Sequence, residues 1–106
     1  MARRWQNLEN WLEKKFGRKP TVEAVLFLIG IQETGFIRKN FSKEEKQDLM
    51  HVAVCTLLAP CGFYALERRD EDGWLHFRQL EKLNFSSPLE EQYFMKERIL
   101  SYFEQY

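Results

Sequence analysis

The chain has 106 residues, 44% of them hydrophobic and 30% charged, and its 16 basic and 16 acidic side chains leave a net charge of zero. That length fits a single domain over 1–106 with one core. The composition excludes a disordered or low-complexity chain, and the charge balance argues against a dedicated nucleic-acid binder, whose domain is strongly basic.

Trp5, Leu8, Leu12 and Phe16 recur at helical spacing and predict a first helix over about 4–16, with one narrow buried stripe, Trp11 at its flank and Gly17 as its stop. The opening Met-Ala-Arg-Arg leads straight into this amphipathic pattern, so no secretory signal is expected. Residues 1–20 hold a local basic surplus, Arg3, Arg4, Lys14, Lys15, Arg18 and Lys19 against Glu9 and Glu13. Cations interleaved with indoles could track a nucleic-acid backbone. The stripe assigns Trp5 to the core, however, and a solvated charged face is the simpler expectation.

Thr21, directly after Pro20, is placed to cap a second helix over about 22–34. Its stretch from Ala24 to Ile31 is unbroken apolar sequence, which predicts burial on all sides. Glu23 and Gln32 bound the run, which is far too short to cross a bilayer. Gly30 weakens the helix and so signals a close crossing with a neighbour, and Gly35 ends it. Ser42 and Glu45 have the spacing of a capping box and open a third helix that is apolar nearly all round from Leu49 to Ala59. Leu28 and Leu57 are expected to face one another across the two helices.

Pro60 and Gly62 stop the third helix, and the period then changes to alternation. A hairpin is predicted over about 63–78, turning at Asp70, Glu71, Asp72 and Gly73, with Leu75 and Phe77 inward and Trp74, His76 and Arg78 outward. The acidic turn lacks the later ligands of an EF-hand loop. Leu80, Leu83 and Phe85 should pack the irregular return. Ser87, Pro88 and Glu90 then predict a last helix with a second capping box, reaching about 102–104. This helix carries two neighbouring apolar stripes: Leu89, Tyr93, Leu100 and Phe103, expected to seat it, and Met95, Ile99, Tyr102 and Tyr106, expected to need a partner. The fold class is therefore α+β, mainly α, with about four helices around a buried central helix at 22–34 and one β-hairpin before the C-terminal helix.

His51 stands out for chemistry because Asp48 lies one turn before it and Cys55 one turn after it on the same face. Asp48 could orient His51 as a general base, or His51 could assist a Cys55 thiolate; a histidine that only bridges structure is the simpler alternative. His51, Cys55, Cys61 and His76 do not form the paired short clamps of a structural zinc site, so no metal is expected. No phosphate-cradling loop and no nucleophile elbow occur, so no cofactor is expected. Two cysteines are too few for a disulfide framework.

Two functional readings follow. The first is a small soluble cytoplasmic protein without catalytic activity, an interaction module whose partner is a protein, most simply a second copy in a homodimer, through Met95, Ile99, Tyr102 and Tyr106; nucleic acid and membrane are not expected partners. The alternative is a ligand-binding or enzymatic site between the third helix and the hairpin, built on Asp48, His51 and Cys55.

Overall fold

A computed structural model describes residues 2–105. The described residues form α1 (Ala2–Phe16), α2 (Val22–Thr34), α3 (Lys43–Leu58), a short 3-10 turn (Ala59–Cys61), the strands β1 (Tyr64–Arg69) and β2 (Leu75–Gln79), and α4 (Pro88–Phe103). The class is α+β, mainly α, with one two-stranded antiparallel hairpin ahead of the C-terminal helix. No helix of the described residues is long and apolar enough to cross a membrane. The chain divides into two compact units: Met1–Pro20 with Leu83–Tyr106, which holds α1 and α4, and Thr21–Lys82, which holds everything between.

In the Thr21–Lys82 unit the helix starts follow the sequence closely. Thr21 Oγ1 accepts the Ala24 amide at 3.1 Å and begins α2. Ser42 Oγ accepts from the Glu45 amide at 3.1 Å while the Glu45 carboxylate accepts from the Ser42 amide at 2.9 Å, so α3 opens with a complete capping box. Those bonds, together with the Arg38 guanidinium 2.6 Å away, hold the Glu45 carboxyl below its ordinary range. The two helices cross at Gly30, where an added methyl group would strike the carbonyl oxygen of Leu49 and sit 3.0 Å from its Cβ. Only glycine admits so close an approach.

Burial along α2 is more graded than its composition suggests. Val25, Ile29, Gly30 and Thr34 are buried, while Leu26, Phe27, Leu28 and Ile31 are half-buried and Ala24 is exposed. Ile29, rather than Leu28, is thus the deepest large side chain of the run, and it shares the core of the chain with Leu49, Val52 and Leu58. Leu57, the expected counterpart of Leu28, is buried at 4% exposure. The buried Thr34 hydroxyl donates back to the Gly30 carbonyl at 2.9 Å, and Gly35, in the left-handed region at φ 76°, closes the helix.

The hairpin carries a bulge between Leu66 and Arg68. Leu75 and Phe77 are half-buried and His76 and Arg78 exposed, as the alternation requires. Trp74 departs from it, because its ring packs edge-on against Phe36 at 4.8 Å instead of facing outward. The turn is organised by Asp70, whose Oδ1 accepts the Asp72 and Trp74 amides at 3.0 and 2.9 Å. Arg69 ties the turn to the end of α2: Nη1 donates to the Thr34 and Gly73 carbonyls, both at 2.9 Å, and Nη2 donates to the Glu33 carbonyl at 3.2 Å. A cation there suits the negative end of the helix dipole. Leu80, expected to pack the return, is instead exposed.

In the other unit α1 and α4 run parallel, with Trp5 beside Lys96 and Trp11 beside Phe103. Trp5 and Leu12 are buried on α1 and Ile99 and Leu100 on α4, but Phe16, the expected end of the α1 stripe, is 56% exposed. Ser87 caps α4 by accepting the Glu90 amide at 3.1 Å. The reciprocal half of the expected capping box lands one residue earlier, since the Glu90 carboxylate accepts from the amide and the hydroxyl of Ser86.

Candidate functional site

His51 and Cys55, one helical turn apart on α3, are brought together as their spacing requires, with Sγ 3.5 Å from Nε2. His51 is exposed and its ring meets Tyr64 of β1 edge-on at 6.4 Å, so this pair does lie beside the hairpin. Asp48 is exposed, and among the described residues no hydrogen bond or ion pair joins it to His51. The third member of the expected arrangement is therefore not in place. Cys55 has no exposed surface, and burial pushes its thiol up to about 11. A nucleophilic cysteine needs the opposite shift, toward the thiolate, from neighbouring positive charge. The protonated sulfur can donate to Nε2, which leaves the other ring nitrogen to carry the imidazole hydrogen. That is the geometry of a satisfied buried thiol.

His76 is held elsewhere, with Nε2 2.8 Å from Asp70 Oδ2. Its hydrogen bond, followed by those of the Trp74 and Asp72 amides, holds the Asp70 carboxyl below the usual range. Among the described residues no group of three or more His, Cys, Asp or Glu side chains is placed to hold a metal ion.

The expected interface stripe of α4 is divided by the fold. Ile99 is fully buried within the chain and offers no surface to a partner, Met95 and Tyr102 are half-buried, and Tyr106 lies outside the described residues. The side chains left in solvent are the N-terminal half of the expected seat, Leu89 at 60% and Tyr93 at 55% exposure, whereas Leu100 of the same stripe is buried and Phe103 half-buried, as expected. A helical wheel places both stripes but gives no measure of how deeply each part of a stripe is covered. One sequence signal did favour this outcome: Leu89 stands in the first turn among Glu90, Glu91 and Gln92, polar company for a core residue.

Leu89 and Tyr93 border a depression of about 400 Å³ between the N-terminal ends of α1 and α4, lined also by Ala2, Trp5, Gln92 and Lys96. The Lys96 ammonium lies 5.1 Å over the Trp5 ring, so the floor is aromatic and one wall is cationic. The exposed Arg3 stands in the first turn of α1, and the exposed Glu91 in the first turn of α4. The patch therefore combines projecting apolar side chains, an aromatic recess and charges of both signs.

Comparisons with protein-family models, with curated proteins and with solved structures found no match.

Proposed function

We propose that this protein is a non-catalytic interaction module that self-associates as a two-fold dimer through the N-terminal ends of α1 and α4. The observation that carries this reading is the exposure of Leu89 and Tyr93 beside a recess floored by Trp5. A two-fold interface uses the same patch on both subunits, and this one supplies both the projection and the hollow that receives it. Its charges are also self-complementary. The first turn of α1 carries the exposed Arg3 and no acid, and the first turn of α4 carries the exposed Glu91, so a two-fold pairing can set one against the other. Tyrosine and tryptophan are the residues enriched at such contacts.

The catalytic alternative is weakened by the same geometry, since Cys55 is buried and protonated and Asp48 does not orient His51. A cytoplasmic setting agrees with Cys55 and Cys61, neither of which forms a disulfide.

Size-exclusion chromatography coupled to light scattering tests the proposal. The full chain should run as a dimer at micromolar concentration, and Tyr93→Asp and Leu89→Asp should run as monomers with an unchanged circular dichroism spectrum, because both side chains are exposed. A wild-type chain that stays monomeric at hundreds of micromolar would overturn the reading.

A further inference from the structure

The basic surplus of the first twenty residues is concentrated at the far end of α1 from the dimer patch. Residues 13–19, from Glu13 to Lys19, are exposed throughout and contain Lys14, Lys15, Arg18 and Lys19 against the single acid Glu13. Lysines in the last turn of a helix complement its dipole, which accounts for Lys14 and Lys15. It does not account for Arg18 and Lys19, which follow the Gly17 turn, nor for Phe16. That ring is 56% exposed in the middle of the cations and has no ring partner among the described residues. The nearby acids Glu97 and Glu104 are engaged by Arg4, and Glu9 lies 3.8 Å from Lys19. Lys14 and Arg18 are thus left around one projecting apolar side chain, with Lys15 over the Trp11 ring beside them and Glu13 the one acid of the stretch.

We propose that, contrary to the expectation from the sequence, this end of α1, with the turn after it, docks on an anionic phospholipid surface. The cations meet the headgroups while Phe16, which has no polar tip, enters the boundary with the acyl chains. Lysine stems suit that position because they lay their methylenes along apolar material and keep the charge in water. A single-stranded nucleic acid shares the charge but asks for more: successive bases need successive free aromatic faces. Of the aromatic residues on α1, Trp5 is buried, and Trp11, 48% exposed, already has the Lys15 ammonium 4.5 Å over its ring and Phe103 edge-on to it. Phe16 is the ring of α1 that projects without a ring or cation partner among the described residues, suited to insertion, and with Trp11 engaged it makes no stacking track. The charge of the whole chain is no obstacle, because attraction to a membrane surface acts within about a Debye length, roughly 8 Å at physiological salt.

Co-sedimentation of the full chain with vesicles decides it. One set contains phosphatidylcholine alone, the other three parts phosphatidylcholine to one part phosphatidylserine. Wild type should sediment with the second set only, and less so as salt is raised. Phe16→Ser and the double substitution Lys14→Gln with Lys15→Gln should each weaken binding about tenfold or more. All three positions are exposed, so the variants should keep the wild-type circular dichroism spectrum. Failure to sediment with anionic vesicles overturns the proposal, as does equal sedimentation of wild type and Phe16→Ser. Binding to a single-stranded oligonucleotide in place of the vesicles also overturns it and assigns the patch to nucleic acid. None of these outcomes depends on dimerisation, since Tyr93→Asp should bind the anionic vesicles as well.

Discussion

The α2–α3 pair closes at Gly30 until backbone meets backbone, whereas the α1–α4 pair keeps long side chains between its helices. Arg4 reaches across to Glu97 and Glu104 at 3.3 and 2.5 Å, and Trp11 touches Phe103 edge-on at 6.5 Å between ring centres. The first pair can approach so closely because one residue at its crossing lacks a side chain. The second pair keeps its polar groups hydrated, and the helices leave depressions between them. The contrast separates two kinds of apolar helix face: one is closed down to the backbone, and the other leaves Leu89 and Tyr93 exposed.

Mutations should respond to this contrast in a fixed order. Ile29→Ala removes a fully buried side chain from α2 and is expected to cost about 2–5 kcal/mol in chemical denaturation. A loss below about 1 kcal/mol would mean that the unit is less tightly packed than its crossing implies. Gly30→Ala comes next: alanine favours the helix by about 1 kcal/mol, yet the collision with Leu49 should turn the balance to a net loss of about 1–3 kcal/mol. Stabilisation by this substitution would break the comparison at its foundation. Ser42→Ala should cost about 1 kcal/mol by removing the cap of α3. In the other pair, Tyr93→Ala should change monomer stability by no more than about 0.5 kcal/mol while still weakening self-association, since the ring is exposed.

The smallest expected effect is a pH dependence in the hairpin. The Asp70 carboxyl is held below its ordinary value, so its ionised form is favoured by the folded turn. Its contribution is fully present above the unfolded carboxylate value, near 4, and is lost as pH falls through the lower folded value. The Trp74 amide resonance should therefore hold its folded position through pH 4 and move only below it. An unmoved resonance at lower pH in a still folded chain would remove Asp70 as the organiser of the turn.

What the sequence revealed was mostly local. The caps at Thr21, Ser42 and Ser87 each involve partners three residues away, so spacing alone identifies them. The same holds for the contact of His51 with Cys55. The depth of burial was not legible in the same way. An all-apolar stretch such as Ala24 to Ile31 has no phase to show which side goes deepest, and the crossing at Gly30 chose Ile29. On α4 the two stripes were likewise placed without depth: each has a buried member, Leu100 and Ile99, while Leu89 and Tyr93 are left exposed. Trp74 left its expected outward position because Phe36, far away in sequence, offered a ring edge. For the candidate chemistry, spacing placed the sulfur beside the imidazole, and the largely apolar stretch from Leu49 to Ala59 around Cys55 already favoured a buried thiol.

The clasp of Arg69 on the Thr34, Glu33 and Gly73 carbonyls has a consequence for how the molecule opens. An isolated hairpin frays easily, and so does the last turn of an isolated helix. Joined through one guanidinium, neither can loosen without stripping hydrogen bonds from the other, so the two ends should behave as one cooperative opening unit. In native-state hydrogen exchange the Gly35 and Gly73 amides, which donate to Ile31 and Asp70, should then share a single opening free energy. Arg69→Lys, which keeps the charge and loses the fork, should split that shared value into two.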